Sequence, residues 1–335
     1  MSPCREIHKF LFDGLPVRGV LVRLTDAWQT ILQRRANNES LGAYPQPVAE
    51  LLGELTAAAV LMQSNIKFNG SLELQISGNA GSGPVKLAVA EVQSNLSLRA
   101  TASIVGVVPD GSRLSALINQ NQQGRCAVTL DPKDKLPGQQ AYQGVVPLFD
   151  DEGKPLEHIS SVLEHYMLQS EQLDTTLVLA ANDTVAAGML LQRLPVQGDG
   201  NLAGSMVRKT NEDAEREIGN NEDYNRLSLF AKSLKPEELL GLSANEILHR
   251  LFWEESIIRY PANTPHAPQF ACTCSRERVG RMLFNLGQEE IASILSERPN
   301  IEVGCEFCGN QERFDPIDAA QLFLPPVGDL SGGVH

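Results

Sequence analysis

The apolar positions in the first part of the chain follow a helical period. A first predicted helix has one apolar face, made of Leu21, Leu24, Trp28, Ile31 and Leu32. A longer helix is predicted after Tyr44-Pro-Gln-Pro47, because Pro47 suits the first helical turn. Its apolar face is made of Val48, Leu51, Leu52, Leu55, Ala58, Ala59 and Met62.

From residue 72 the period of the pattern changes to two, which indicates strands. Leu72, Leu74 and Ile76 alternate with polar neighbours, and the Gly-rich stretch 78–83 predicts a turn. Further strands are predicted at 85–92, 96–104, 125–130, 142–148, 175–181 and 184–192, with a helix near 156–170. Hairpin-length connections favour antiparallel sheets with helices packed on them, so we predict an α+β core domain over residues 1–196.

A charged segment follows this domain. The run Gln197-Gly-Asp-Gly200 interrupts the pattern, and the stretch from Arg208 to Asp223 holds three basic and six acidic residues. Ile218 is the only aliphatic residue larger than Ala in that stretch, so the stretch can bury little surface. Composition favours a solvated linker, and the alternative interpretation is a weak region that opens under stress.

Residues 226–255 regain a helical pattern with two apolar stripes. The stripes consist of Leu227, Phe230, Ala231 and Leu234, and of Leu239, Leu240, Leu242, Ile247, Leu248, Leu251 and Phe252. Ser243, with Glu246 three residues later, predicts a capping box. We therefore predict a charged and helical linker over residues 197–260, whose apolar faces are either core or protected interaction surfaces.

Four cysteines near the C-terminus form two close pairs, Cys272-Thr-Cys274 and Cys305-Glu-Phe-Cys308. Pairs of this kind, separated by residues 275–304, predict a tetrahedral site for one zinc ion with four cysteine ligands. Each pair is also close enough in sequence to form a local disulfide. A permanent structural zinc site and a redox-active one both remain open at this point, because thiolates are the form that oxidants attack.

The cysteines belong to a predicted C-terminal domain, residues 261–327. Ser275 is expected to cap a helix that ends at Gly287 and whose apolar face is Val279, Met282, Leu283 and Leu286. The domain has little apolar content, so it needs an additional constraint such as a metal. Residues 263–323 contain five Arg, no Lys and nine Asp or Glu, a formal charge of −4. That charge, within a chain of net charge −13, argues against nucleic-acid binding.

Candidate catalytic residues are not apparent. The six histidines form no metalloprotease motif, and Asp151 and Asp183 have no paired carboxylate. Cys126 lies in an apolar stretch and is expected to be a buried, inert thiol, and Cys4 has no partner in sequence. A hydrolase or transferase in the N-terminal domain is the weakest hypothesis. The charged N-terminus lacks the apolar core of a signal peptide and no apolar run is long enough for a membrane span, so we expect a soluble, cytoplasmic protein.

The cysteine motifs resemble a known family. Phe270-Ala-Cys-Thr-Cys-Ser-Arg-Glu-Arg278, followed by Cys305-x-x-Cys308-Gly309, is similar to the bacterial redox-regulated heat-shock chaperones, the 33 kDa chaperonin family. Further segments that resemble the family pattern are Pro45-Gln-Pro47, Tyr142-Gln-Gly-Val-Val146, Ser170-Glu-Gln-Leu173, Ala186-Ala-Gly-Met-Leu-Leu-Gln192 and Leu248-His-Arg-Leu-Phe-Trp-Glu-Glu255.

The resemblance implies a stress-response holdase for unfolded client proteins, and not an enzyme. It implies that Cys272, Cys274, Cys305 and Cys308 bind zinc in a reduced, inactive form. Oxidation would then form Cys272–Cys274 and Cys305–Cys308 disulfides, release zinc, unfold the module and adjacent linker, and produce a homodimer. The alternative is a zinc-stapled nucleic-acid or ribosome-associated binding protein.

Overall fold

The computed structural model describes residues 7–39, 41–79, 81–136, 138–194, 219–260 and 267–324, and the chain divides after Ala271 into two units. The strands of the first unit are β1 Ile7–Phe12, β2 Val17–Leu24, β3 Gly70–Ser77, β4 Val85–Gln93, β5 Ser97–Ile104, β6 Arg125–Pro132, β7 Tyr142–Pro147, β8 Thr175–Ala181, β9 Ala186–Arg193, β10 Ile257–Tyr260 and β11 Gln269–Phe270. Its helices are α1 Asp26–Ala36, α2 Gln46–Asn65, α3 Leu114–Ile118, α4 Ile159–Glu171, α5 Glu222–Lys232, α6 Pro236–Gly241 and α7 Ala244–Phe252.

One sheet of the first unit has six strands in the order β11-β5-β4-β3-β6-β7. All pairs in it are antiparallel except β11 with β5. Burial alternates along β3, with Leu72, Leu74 and Ile76 facing the core. The period-two pattern in the sequence is therefore the pattern of a sheet with one covered face.

The second sheet has five antiparallel strands in the order β10-β1-β2-β9-β8. Strand β9 is buried at all eight positions, because both faces of this sheet are covered. Ala186 and Leu190 belong to the main core, whereas Met189 and Leu191 belong to a second cluster that includes the linker helices. A strand covered on both faces carries apolar side chains at consecutive positions.

Helix α2 lies against strands of both sheets and is the centre of the main core. It begins at Gln46 with Pro47 in its first turn, as predicted. Gly53 permits its close approach to the five-stranded sheet, since a Cβ atom there would lie 2.4 Å from the Cβ atom of Ala181. None of the described helices has both the length and the hydropathy required to cross a membrane.

Helices α5, α6 and α7 cover the other face of the five-stranded sheet. Leu227, Leu248 and Phe252 are buried there beside Phe10 and Phe12. The Phe252 ring lies 4.9 Å from that of Phe12 in an edge-to-face arrangement. The apolar stripes predicted in the linker are thus a buried interface with the sheet.

Polar contacts accompany this apolar interface. The Thr176 hydroxyl lies 2.7 Å from the Tyr224 hydroxyl and 2.8 Å from that of Ser228, so β8 and α5 are hydrogen-bonded. At the start of α7, the predicted capping box is present: Glu246 donates its N–H to the Ser243 hydroxyl.

Of the predicted linker and C-terminal domain, residues 197–218, 261–266 and 325–327 lie outside the described residues.

The predicted strands and the helix near 156–170 are present, with shifts of at most three residues at their ends. The first predicted helix is present as α1, which carries Trp28, Ile31 and Leu32, but its predicted start was wrong: Leu21 and Leu24 lie on β2, and α1 begins at Asp26. Both faces of β2 are covered, so its apolar residues do not alternate and their spacing resembles that of a helix.

The second unit is smaller and contains α8 Arg276–Leu286, α9 Gln288–Glu297, a hairpin of β12 Ile301–Gly304 and β13 Gln311–Phe314, and α10 Pro316–Gln321. Among the described residues of this unit, the buried core consists of Leu283, Ile291, Ile301, Phe314 and Ala319. Met282 and Leu286, which were predicted on the apolar face of α8, are 45% and 52% exposed. The core of the second unit is too small to cover all four apolar residues of this face, so Met282 and Leu286 stay partly exposed.

A candidate metal centre of four thiols

The first cysteine pair lies immediately before α8. Cys272 and Cys274 are in a segment without regular secondary structure, and the Ser275 hydroxyl accepts the Arg278 N–H at 3.2 Å, so Ser275 caps the helix as predicted. The side chain of Arg278 returns to the segment and donates to the Thr273 hydroxyl at 2.6 Å. These contacts fix the residue between the two cysteines relative to the helix.

The second pair lies in the turn that joins β12 to β13. Cys305 donates its N–H to the Asn310 carbonyl at 2.8 Å and accepts the Gly309 N–H at 2.8 Å. Gly309 has φ +74°, a left-handed conformation that glycine adopts without strain. The hairpin therefore folds the chain tightly around Cys305 and Cys308.

All four sulfur atoms lie within 4.8 Å of one another. The Sγ atoms of Cys272 and Cys305 are 3.6 Å apart, and those of Cys274 and Cys308 are 3.2 Å apart. Zinc bound tetrahedrally to four thiolates at about 2.3 Å would hold the sulfurs about 3.8 Å apart. The four predicted residues thus come together, and their spacing and chemistry fit a metal ion of this kind.

Ionisation within the cluster is uneven. Burial acts to raise the pKa of Cys272, but hydrogen bonds from the Cys274 backbone and the neighbouring thiols outweigh it and lower the pKa to about 7. Burial and the surrounding sulfurs raise the pKa of Cys274, and burial raises that of Cys308. A bound cation would favour the charged form of every sulfur, which is the condition that a thiolate metal site requires.

The chain is similar to proteins of one known family. Residues 6–315 match the model of the family described as "Hsp33 protein". The chain belongs to the Hsp33 family. This Hsp33 family member is 44% identical to the 33 kDa chaperonin of Chromobacterium violaceum over 318 residues, which cover 95% of this chain and 93% of that protein. It is 40% identical to the 33 kDa chaperonin of Methylobacillus flagellatus over 323 residues, covering 96% and 95% of the two chains.

A solved structure of an Hsp33 protein has the same fold. The crystal structure of the 33 kDa chaperonin (heat shock protein 33 homolog) of Thermotoga maritima matches with a TM-score of 0.67 and covers 95% of this chain and 97% of that one. At 20% sequence identity the likeness concerns the fold alone. Together with the antiparallel sheets and the cysteine cluster, it confirms the predicted α+β class.

Two further cysteines, Cys4 and Cys126, occur in the chain. Cys126 is on β6, fully buried in the main core, and burial raises its pKa to about 12, in agreement with an inert thiol. Cys4 lies outside the described residues. Within the described ranges, the ligand atoms that lie close enough together to hold a metal ion are the sulfurs of Cys272, Cys274, Cys305 and Cys308.

Two arginine side chains that contact the segments carrying the cysteines were not predicted. Arg276 donates to the Arg313 carbonyl at 2.7 Å, and Arg278 donates to Thr273. A signal was available: Arg276 and Arg278 lie two and four positions after Cys274 in a module of net negative charge. The sequence could not show which groups they contact.

Proposed function

We propose that this chain is a molecular chaperone, a holdase for unfolding proteins, that oxidation of its clustered cysteines switches on. The chaperone function is supported by membership of the Hsp33 family and by relatives named 33 kDa chaperonin. The switch is supported by one observation above all: four thiols lie within 4.8 Å of one another in a unit with a very small core.

In the reduced, inactive state we assign zinc to the cluster, one ion per chain, with Cys272, Cys274, Cys305 and Cys308 as ligands. Bound zinc would keep the sulfurs as thiolates and would join the segment before α8 to the β12–β13 hairpin. Four protein ligands leave no open position for water or substrate, so the proposed role is structural and not catalytic.

Oxidation would pair Cys272 with Cys274 and Cys305 with Cys308. Each pair of thiolates gives up two electrons as its S–S bond forms. Hydrogen peroxide accepts them; its O–O bond breaks and, with two protons from solvent, it leaves as two water molecules. The oxidised sulfurs are poor ligands, so the two segments are no longer held by a shared ion.

Cross-pairing is the rival oxidation product. The two shortest sulfur distances join Cys272 to Cys305 and Cys274 to Cys308, across the pairs. Local pairing is favoured by sequence proximity, because residues two or three apart form a disulfide without the rest of the module staying folded.

Loss of the ion would unfold the second unit, because a structural zinc contributes roughly 10–16 kcal/mol in small modules. In the proposed active state, helices α5–α7 also leave the sheet and uncover the apolar surface around Leu227, Leu248 and Phe252. That surface would bind unfolded clients, and oxidised chains would associate as homodimers. We place the protein in the cytoplasm, where reducing conditions keep the thiols free until oxidative stress.

The central experiment measures zinc and chaperone activity together. The reduced full chain is treated with peroxide at raised temperature, and we expect about one zinc released per chain and suppressed aggregation of an unfolding client enzyme. Cys305→Ser should weaken zinc binding, whereas Cys126→Ser should not. Unchanged zinc content with no anti-aggregation activity would overturn the proposal.

The disulfide pairing is tested by tryptic mapping. Trypsin cuts after Arg259, Arg276, Arg281 and Arg313, so the two cysteine pairs fall on separate peptides, 260–276 and 282–313. Local pairing leaves these peptides unlinked, each lighter by two hydrogens. A linked peptide pair that separates on reduction would show cross-pairing instead.

A further inference from the structure

The side chain of Arg276 contacts several elements of the second unit at once. No other described arginine of this unit makes the same set of hydrogen bonds and ion pairs. Its guanidinium donates to the Arg313 carbonyl at 2.7 Å and pairs with the Asp318 carboxylate at 2.7 Å. Glu312 lies 3.6 Å away, and the guanidinium carbon sits 4.2 Å above the ring of buried Phe314. One side chain thus bridges α8, β13 and the first turn of α10.

These contacts connect the two halves of the thiol cluster without using a sulfur. Arg276 is the first residue of α8, two positions after Cys274. Its partner Arg313 is on β13, the strand that leaves the turn containing Cys305 and Cys308. The chain therefore has a second, metal-independent link between the segments that carry the two cysteine pairs.

The link extends to the first pair through a neighbouring arginine. Arg278 holds Thr273 by its hydroxyl at 2.6 Å and its carbonyl at 3.3 Å, so the loop between Cys272 and Cys274 is attached to α8. A displacement of α8 relative to the hairpin would accordingly move both sulfurs of the first pair. Residues outside the ligand set that orient metal ligands in this way commonly change metal affinity when they are replaced.

We propose that Arg276 is a positioning residue for the metal centre: it holds the Cys272–Cys274 segment against the Cys305–Cys308 hairpin and so slows release of the ion. This inference rests on the proposed zinc-binding function. A bidentate, planar guanidinium suits the role, because Lys could not reach the carbonyl, the carboxylate and the ring at once.

Arg281 supplies the matched control. It is on the same helix, and its ion pair is with Glu277 one turn away, at 3.2 Å and with both side chains largely exposed. Exposed pairs of this kind contribute little. Arg276→Ala, Arg276→Lys and Arg281→Ala are therefore compared with the parent as zinc-loaded, reduced full chains.

The first readout is the rate at which zinc passes to a chromogenic chelator. We expect a rate about tenfold higher for Arg276→Ala, a rate between it and the parent for Arg276→Lys, and the parental rate for Arg281→Ala. If Arg276→Ala does not retain zinc, the zinc-release rates of Arg276→Lys and Arg281→Ala are compared instead. A higher rate for Arg276→Lys supports the proposal, and equal rates overturn it. Equal rates for the parent and the Arg276 variants, or equal acceleration in Arg281→Ala, would overturn the proposal.

The second readout is the absorption of Co²⁺ bound at saturation in place of zinc. Ligand-field bands report the geometry of the thiolate shell, so Arg276→Ala should shift them and Arg281→Ala should not. A general loss of module stability would leave the spectrum of the filled site unchanged, and that result would also contradict a positioning role. A parent chain that binds no zinc would instead refute the proposed function itself, which separates the two failures.

Discussion

Helix α2 of the first unit is buried along nearly its whole length, whereas α8 and α9 of the second unit bury one large side chain each, Leu283 and Ile291. The first unit has a core that spans two sheets, and the second has a cluster of five buried residues. Small modules with such limited burial need a metal or disulfides to fold. We therefore expect the first unit to be stabilised by its own core and the second unit to depend on its cysteine site.

Removal of the metal should have the largest effect. A chelator added to the reduced, zinc-loaded chain is expected to remove roughly 10–16 kcal/mol of stabilisation from the second unit and none from the core around α2. Hydrogen exchange measured by region should show lost protection in α8 and in the β12–β13 hairpin, with α2 still protected. An equal loss of hydrogen-exchange protection in α2 and in α8 would contradict the expected difference between the two units.

Phe252→Ala should weaken the first unit where the linker helices meet the sheet. Its ring packs 4.9 Å from Phe12 and 6.4 Å from Phe10, and truncation of a buried Phe costs about 3–5 kcal/mol. We expect a lower urea midpoint, unchanged zinc affinity, and anti-aggregation activity in reducing buffer.

Phe230→Ala is the matched control for that variant, because Phe230 is on α5 and is 37% exposed. Its effect on the urea midpoint should be clearly smaller. If both variants behave alike, burial at the sheet is not what holds the helices in place.

The stability of the first unit should also depend on pH through Glu54 of α2. Burial raises its pKa to about 8, with Glu50 adding to the increase and Arg113 opposing it. A carboxyl whose pKa is higher in the folded chain binds its proton more tightly when folded. Its contribution to stability is therefore complete below pH 4.5 and is lost as the pH rises towards about 8.

Glu54→Gln removes this titration. The difference in unfolding free energy between the variant and the parent should change by on the order of 2 kcal/mol across that window, measured by urea unfolding at several pH values. A parallel pair of curves would show that Glu54 does not titrate there. Zinc release from the second unit should be the same in both proteins.

Ser243→Ala should have the smallest effect. The Ser243 hydroxyl accepts the Glu246 N–H at the start of α7, and loss of such a cap costs about 1 kcal/mol. Ser243→Thr keeps the hydroxyl and should restore most of the loss. Thermal unfolding of the reduced chain gives the measurement; an equal decrease in both variants would point to a cause other than the cap.

Several features could be predicted from the sequence because local rules decide them. Leu72, Leu74 and Ile76 alternate as one covered face of a sheet requires, and Ser243 with Glu246 defines a helix start. The four cysteines of the candidate metal centre were identified because two short-spaced cysteine pairs are typical of a zinc site.

Other features depend on long-range contacts that a periodic pattern does not contain. Leu21 and Leu24 were assigned to a helix because β2 is covered on both faces. The stripe that includes Leu227 predicted an apolar face but not the sheet that covers it. The bridge from Arg276 to Arg313 joins residues 37 positions apart, and no spacing rule specifies it.

Strand β10 has a further consequence for the five-stranded sheet. It is four residues long, largely exposed, and occupies the edge beside β1 through pairs such as Phe10 with Arg259. A short, charged edge strand protects a sheet from pairing with other chains. Because β10 directly follows α7, its departure together with the linker helices would make β1 the new edge, with the backbone groups beside Phe10 and Phe12 unpaired. A chain in that state would offer its partners a row of hydrogen-bonding backbone groups as well as an apolar surface.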